Sequence, residues 1–179
     1  ILYVKGHLPA DEGLAVGVVG SRNASVYGLN VAEKFSGQLA ELGITVVSGL
    51  ARGFDAAAHR GCLRTVGQTV AVVGCGLSHI YPEQNIELFR EIGQKGAVIS
   101  EFSMAIPPIA ANFPARNRII SGLSLAVLVV EASLKSGALL TSNFALEQGR
   151  DVFAVPGRID QPNSQGVNQL IKQGAKLVT

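Results

Sequence analysis

Short apolar runs alternate along this chain with segments of helical hydrophobic spacing. The apolar runs are rich in valine, isoleucine and alanine, and several of them close on a glycine. Near-continuous apolar runs of this kind are typical of parallel strands that are covered on both faces. The predicted strands are Leu14–Gly20, Ile44–Gly49, Thr69–Gly76, Gly96–Glu101, Leu125–Ala132 and Asp151–Gly157.

The segments between these runs predict helices. After the first strand, Val31, Phe35, Leu39 and Leu42 recur at helical spacing, and Gly43 closes the segment. Further helices are predicted for residues 55–67, Asn85–Lys95 and residues 139–149. Regular alternation of strand and helix predicts one α/β domain over residues 1–179, with a doubly wound, mostly parallel sheet and helices on both faces.

Composition narrows the class of protein. Hydrophobic residues make up 47% and charged residues 16% of the 179 positions, which indicates a packed domain. Cys62, Cys75 and the three histidines show no metal-ligand spacing, so we expect no metal, no cofactor and a reducing cytoplasm. No apolar run is long enough to span a membrane, and we expect no signal peptide. The opening residues, ILYVKG, suggest a piece of a longer protein whose flanking domains are absent.

The α/β pattern also predicts where a ligand binds, because open sheets of this type bind ligands beyond the carboxyl ends of their strands. A net charge of +2 is too small to indicate nucleic acid by itself, so the position of the charges matters more than their sum. We expect one basic rim at the strand ends. Its arginines are Arg22, Arg52, Arg116, Arg118 and Arg158.

The first of these loops reads GSRNASVYG and follows the first predicted strand. Gly20, Ser21 and Arg22 suit an anion, because backbone N–H groups and a guanidinium both bind phosphate oxygens. The spacing does not match the GxGxxG dinucleotide fingerprint, and the second strand ends in Ser48 and Gly49 without an acid. An NAD-dependent enzyme is therefore disfavoured.

The second loop reads SGLARGFD. Arg52 and Gly53 are candidate phosphate contacts. The alternative is a helix capped by Asp55, whose arginine pairs with a neighbouring carboxylate.

The stretch NFPARNR, directly ahead of an apolar run, is the least ordinary part of the sequence. We expect a loop over the strand ends that presents Asn112, Phe113, Arg116, Asn117 and Arg118 and contains no acid to pair with the arginines. Aromatic, guanidinium and amide groups together are typical of a groove for single-stranded nucleic acid, where bases stack and phosphates are neutralised. A packed aromatic staple is the alternative for the phenylalanine.

The stretch LKSGALLTSNFALEQG is the most enzyme-like. Ser136, Gly137 and Thr141 could bind phosphate at the start of a helix, and Glu147 lies further along that helix. The alternative is an ordinary helix entry with a solvated glutamate.

The series VGSRNAS, SGLARGFDAAAH, GCGLSHIYP, NFPARNRIISGLS and VVEASLKSGALLTSNFALEQGRDVFAVPG resembles the DprA family, also called Smf, over nearly the whole chain. The resemblance implies an extended Rossmann-like domain without catalytic activity. It also implies binding of single-stranded DNA, loading of the RecA recombinase, natural transformation and a homodimer. By motif, the implied DNA contacts are Ser21, Arg22, Arg52, Gly53, Asn112, Phe113, Arg116, Asn117 and Arg118.

Two further expectations accompany this resemblance. An apolar stripe of Val167, Leu170 and Ile171 is a weak indication of the dimer interface, although it could equally dock on the last strand. The fold also resembles that of the lysine-decarboxylase-like nucleotide phosphoribohydrolases, which would make Glu147 an acid–base group. That family's three-glycine loop is replaced here by KSGALL, which disfavours the enzyme.

Overall fold

The computed structural model describes residues 1–9 and 13–179, and its centre is an eight-stranded sheet. The strand order is β1-β5-β4-β3-β2-β6-β7-β8, and each pairing is parallel except that of β1 with β5. The strands are β1 (Tyr3–Gly6), β2 (Ala15–Val19), β3 (Thr45–Ser48), β4 (Thr69–Val72), β5 (Ala97–Ser100), β6 (Ala126–Val129), β7 (Asp151–Ala154) and β8 (Lys176–Leu177).

Helices cover both faces of this sheet, which confirms the predicted α/β architecture. They are α1 (Val26–Glu41), α2 (Phe54–Leu63), α3 (Ile86–Lys95), α4 (Asn112–Gly122), α5 (Ala138–Glu147) and α6 (Gln165–Lys172). Neighbouring strand residues point to opposite faces: Val18 packs with α1 and α2, whereas Val19 packs with α4, α5 and α6. Within the described ranges, no helix has the length and apolarity needed to cross a membrane.

The structure corrects the sequence prediction at three places. Strands β1 and β8, at the two edges of the sheet, were not predicted. The stretch Asn112–Arg118 is not a loop but the first two turns of α4. Pro114 does not prevent this helix, because it lies in the first turn, where a backbone N–H has no intrahelical partner to lose.

The apolar stripe of α6 lies inside the protein. Val167 is 0% and Leu170 is 6% exposed, and both belong to the core cluster of the α4–α6 face, with Ile171 packed against it. The sequence left open whether this stripe packs on the sheet or forms a dimer interface, and in the structure it packs within the protomer. The buried side chains of Val167 and Leu170 are therefore not available to a second subunit.

The strand order places a crevice at one position of the sheet. Strands β2 and β6 are neighbours although three strands and four α-helices lie between them in the sequence. The chain leaves β2 towards α1 on one face and leaves β6 towards α5 on the other face. In doubly wound folds, ligands bind at such a switch point, beyond the carboxyl ends of the strands.

Candidate nucleic-acid interface

A cleft of ≈ 420 Å³, called the main cleft below, opens at this switch point. It is formed by the loop after β2, the first turns of α4 and the loop between β6 and α5. Most of the residues that the sequence singled out meet here. They are Gly20, Ser21, Arg22, Phe113, Arg116, Asn117, Ser136, Gly137 and Thr141.

A smaller cavity of ≈ 150 Å³, called the side cavity below, adjoins the main cleft. Arg22 and Phe113 line both spaces, and Arg52 lines only the side cavity. Of the other predicted contacts, Gly53, Asn112 and Arg118 line neither space.

The loop after β2 is held in place by its backbone. The Ser21 N–H donates to the Glu131 carbonyl oxygen at 2.9 Å, which fixes this loop against the end of β6. Gly20 packs directly on the buried ring of Phe54, where a Cβ would overlap the ring. The exposed Arg22 guanidinium then lies over the ring of Phe113, with its carbon 5.7 Å from the ring centroid. This is cation–π geometry.

Arg116 forms the floor of the main cleft rather than its rim. The residue is only 3% exposed, and Nη1 donates hydrogen bonds to the carbonyl oxygens of Gly49, at 2.7 Å, and of Val72. Gly49 directly follows β3, and Val72 is the last residue of β4. Arg116 therefore ties α4 to the carboxyl edge of the sheet, a role that the sequence did not predict.

A buried carboxyl group accompanies this arginine. Asp55 lines the main cleft, is 8% exposed and accepts a hydrogen bond from the Ala51 N–H at 3.2 Å. Burial raises the pKa of the Asp55 carboxyl above its ordinary value, although the nearby Arg116 opposes this shift. Burial likewise lowers the pKa of Arg116 to about 10. A buried carboxyl group and a buried guanidinium thus lie together at the floor of the cleft.

The arginines do not form one continuous rim, which corrects the sequence prediction. Arg118 pairs with Glu101, an acid that follows β5 and is distant in sequence. Arg158 pairs with Asp160 at 2.7 Å. The stretch NFPARNR has no acid of its own, as the sequence shows, and the partner of Arg118 comes from outside it. Arg22 and Arg52 are the arginines that reach the two cavities from the surface.

Phe113 stands between the two cavities. Its ring is half-buried and packs on the backbone of Gly74, where a Cβ would approach the ring to 2.8 Å. The Tyr81 ring lies on another side, with the ring centroids 5.2 Å apart and the planes at 44°. The ring is therefore neither part of the three core clusters nor freely exposed, and it lines both cavities.

The start of α5 faces the main cleft, as the sequence predicted. Ser136 Oγ accepts from the Ala138 N–H at 3.3 Å, and Asn117 Nδ2 donates to the Gly137 carbonyl oxygen at 3.4 Å. The next two N–H groups, of Leu139 and Leu140, donate to the carbonyl oxygens of Ser136 and Gly137, so this helix start attracts an anion through its dipole rather than through free N–H groups. Sequence reasoning missed the exposed Lys135, which also lines the cleft. Its position in the loop between a strand and a Ser-Gly helix entry was the available signal.

The acid–base group of the alternative enzyme lies elsewhere. Glu147 is the last residue of α5, is exposed and lines neither the main cleft nor the side cavity. Within the described residues, no group of three or more histidines, cysteines, aspartates or glutamates is arranged to hold a metal ion.

Comparison with known proteins gives a consistent match. The family model described as DNA recombination-mediator protein A matches residues 1–179. The chain is 52% identical to Protein Smf of Escherichia coli (strain K12) over 179 residues, which are 99% of this chain and 48% of that protein.

Two solved structures match as well. The X-ray structure of DNA processing protein A from Streptococcus pneumoniae superposes with a TM-score of 0.95 at 46% identity, covering 99% of this chain and 62% of that one. DNA processing protein A from Helicobacter pylori, whose structure describes a single-stranded DNA binding mode, gives a TM-score of 0.89 at 32% identity, covering 98% and 80%. The chain spans about half the length of the curated relatives it matches first. These matches confirm the resemblance found in the sequence, and the chain belongs to the DNA recombination-mediator protein A (DprA/Smf) family.

Proposed function

We propose that this chain binds single-stranded DNA along the main cleft. Arg22 and Lys135 neutralise phosphates, the positive end of the α5 helix dipole favours a phosphate at the cleft, and Phe113 stacks on a base. The observation that carries this proposal is the position of the Arg22 guanidinium over Phe113, at the border of a cleft to which Lys135 and the start of α5 contribute. Cationic groups beside an aromatic ring are the combination that single-strand grooves use.

The same groups favour single strands over duplex DNA. A half-buried ring at the border of a cleft can stack only on a base that is not paired and stacked within a duplex. The remaining polar groups are cations and backbone amides, which contact phosphates and carry no base code. We therefore expect weak base preference. Arg52, Gly53, Asn112 and Arg118 remain proposed contacts outside the main cleft.

The salt dependence of affinity tests this proposal. Replacing Arg22 or Lys135 with alanine should reduce the slope of log affinity against log salt by about 0.7 each, the value for one phosphate of a single strand. Arg90→Ala is the matched control, because Arg90 is an exposed arginine of α3 paired with Glu87 and lines neither cavity. Equal slopes in the wild type and in both cleft variants would refute the proposal.

Arg118→Ala is a useful comparison in the same series. Its guanidinium is already paired with Glu101, so a phosphate would have to compete with that carboxylate. We expect a smaller change in slope than for Arg22.

The role that this binding serves is proposed from the family. We infer that the protein protects incoming single strands and loads the RecA recombinase on them during natural transformation, in the cytoplasm. The family's description as a recombination mediator supports the recombinase step, and the two buried free cysteines suit a reducing compartment.

Loading is measured by the rate at which RecA forms filaments on oligonucleotides precoated with single-strand-binding protein. The wild-type protein should shorten the lag, and Arg22→Ala should lengthen it again in proportion to its lost DNA affinity. An identical lag with and without the protein would contradict the loading role while leaving DNA binding intact.

We propose that the chain acts without catalysis. The support is the position of Glu147 at the far end of α5, outside both cavities. Incubation with AMP should release no adenine, and Glu147→Gln should change nothing. Adenine release that disappears in this variant would favour the phosphoribohydrolase instead.

A homodimer is the remaining expectation from the family. Since Val167 and Leu170 are buried within the protomer, the interface would have to involve other surfaces. Light scattering of the wild-type protein across a concentration series measures the oligomeric state directly.

A further inference from the structure

One glutamate holds the loop after β2 at both of its ends. The backbone carbonyl oxygen of Glu131 accepts from the Ser21 N–H at 2.9 Å. Its carboxylate accepts two further hydrogen bonds from Ser25, one from the N–H at 3.1 Å and one from the hydroxyl. Arg22 lies between these two attachment points. The conformation of the loop, and with it the point from which Arg22 extends, therefore depends on Glu131.

The Glu131 carboxylate is buried and closely surrounded. The residue is 7% exposed, and a Cβ at Gly28 would lie 2.7 Å from both its Cδ and its Oε1. The glycine thus leaves the room that the carboxylate occupies beneath the first turn of α1. That turn contains no acid of its own, so Glu131 supplies the negative charge that the helix dipole favours there. Ser25 Oγ in turn accepts from the Gly28 N–H at 2.9 Å.

Glu131 reaches the main cleft only through this loop. It lines a different cavity, of ≈ 600 Å³, and neither the main cleft nor the side cavity. Ser25 lines that cavity as well, whereas Arg22 and Asn23 line the main cleft. A further attachment of the loop, from Asn163 Nδ2 to the Asn23 carbonyl oxygen at 2.8 Å, is exposed to solvent, where water competes for both groups.

We propose that Glu131 is a positioning residue for single-strand binding. Its buried carboxylate fixes the loop so that Arg22 stays over the ring of Phe113, at the border of the main cleft. This role rests on the proposed single-strand binding, because it concerns how Arg22 reaches a phosphate. An acid close to a DNA site ordinarily weakens binding, since like charges repel. Glu131 instead strengthens binding by holding a cation in place.

Comparing Glu131→Ala with Glu131→Gln tests this role. Both variants remove the same negative charge, but only glutamine retains an oxygen that accepts from the Ser25 N–H. Glu131→Ala should weaken binding of oligo-dT on the order of tenfold, as loss of a guanidinium–phosphate contact does. Glu131→Gln should recover most of that loss. Glu33→Ala is the matched control, because Glu33 is an acid of α1 that pairs with Arg64 at 2.6 Å and lines none of these cavities. It should not weaken binding.

A double-mutant cycle identifies the residue through which Glu131 acts. In the Arg22→Ala background, Glu131→Ala should cause no further loss of affinity. Each single variant should lower the slope of log affinity against log salt by the same amount, about 0.7. A glutamate that only stabilises the fold would give additive losses. Circular dichroism establishes that each variant is folded at the temperature of measurement. If Glu131→Ala does not fold, Ser25→Ala takes its place in the cycle, with a smaller loss expected because the Ser25 N–H still donates.

The outcomes separate the two proposals. If the wild-type protein does not bind oligo-dT, the proposed function falls and the positioning role falls with it. If oligo-dT binds but the alanine and glutamine variants of Glu131 bind it equally well, or if the losses in the cycle add, only the positioning role is overturned. Glu131 would then serve the stability of α1 alone.

Discussion

Arg116 donates a hydrogen bond of 2.7 Å from Nη1 to the carbonyl oxygen of Gly49, so that a buried guanidinium on α4 fastens the loop after β3. The glycine is needed for this approach. A Cβ at position 49 would lie 2.5 Å from both Arg116 Nη2 and Asp55 Oδ2. The floor of the main cleft is thus a close-packed polar contact rather than an open set of phosphate ligands.

Gly49→Ala should therefore destabilise the protein. The added methyl group overlaps two buried side chains that cannot both move away, and such overpacking costs about 1–3 kcal/mol in free energy of unfolding. Thermal or urea unfolding measures the change. Gly137→Ala is the matched control, because a Cβ at that exposed helix start meets nothing within 4 Å. Equal stability of the two variants would show that Arg116 and Asp55 are not fixed.

The buried His59 makes stability depend on pH. Its Nδ1 lies 2.7 Å from Thr69 Oγ1, and because that hydroxyl donates to the Val46 carbonyl oxygen, Nδ1 carries the proton and donates. Burial, and then the positive charges of Arg116 and Arg60, lower the pKa of His59 from 6.5 to about 3. The folded protein therefore contains His59 in its neutral form.

The direction in which stability changes with pH follows from this lowered pKa. The unfolded chain binds a proton at His59 near pH 6.5 and the folded chain does not, so the stability contributed above pH 6.5 is lost as the pH falls towards 3. Compared with His59→Gln, the wild type should lose about 1.4 kcal/mol of unfolding free energy per pH unit between about pH 5.5 and 4. Urea unfolding of both proteins at several pH values gives the difference. Parallel stability curves would contradict the prediction.

Leu170→Glu tests the assignment of the α6 stripe to the core. Leu170 is 6% exposed, so a carboxylate there is buried without a partner, and we expect a loss above about 4 kcal/mol or an insoluble product. Ile159→Glu is the control, because Ile159 is 93% exposed and should tolerate the charge. Light scattering and circular dichroism report the result. A folded Leu170→Glu monomer would instead restore the stripe as a subunit interface.

The sequence predicted the architecture because its strands are buried on both faces and therefore appear as continuous apolar runs. The edge strands escaped this pattern: Val4 and Lys5 of β1 are exposed, and β8 has two residues. The helix α4 was taken for a loop because its arginines, amides and proline show no apolar stripe ahead of Ile119. Within α4, Ile119 and Ile120 are the residues that pack in the core.

The sequence predicted the location of the candidate site more accurately than the side chains that are exposed there. Parallel strands end at one edge, so the loops at Ser21, Phe113 and Ser136 had to meet there. The exposure of each arginine depends on its hydrogen-bond and ion-pair partners. These partners come from distant segments, so sequence spacing does not predict them. Glu101 for Arg118 and the carbonyls of Gly49 and Val72 for Arg116 are of this kind.

Phe113→Ala separates base stacking from packing. If the ring stacks on a base, the variant should lose about 1–3 kcal/mol of affinity for single-stranded DNA. The slope of log affinity against log salt should stay unchanged, because stacking releases no counterions. The melting temperature should fall less than for a fully buried phenylalanine, whose truncation costs about 3–5 kcal/mol, since this ring is half-buried between two cavities.

Phe144→Ala is the matched control for that experiment, because Phe144 is also half-buried but lies on α5 and lines neither cavity. It should lower the melting temperature by a similar amount and leave DNA affinity intact. If Phe113→Ala behaves in the same way as this control, the ring serves only to pack Gly74 and Tyr81. The cations Arg22 and Lys135 would then bind phosphate without an aromatic partner, and the preference for single strands would have to come from the shape of the cleft alone.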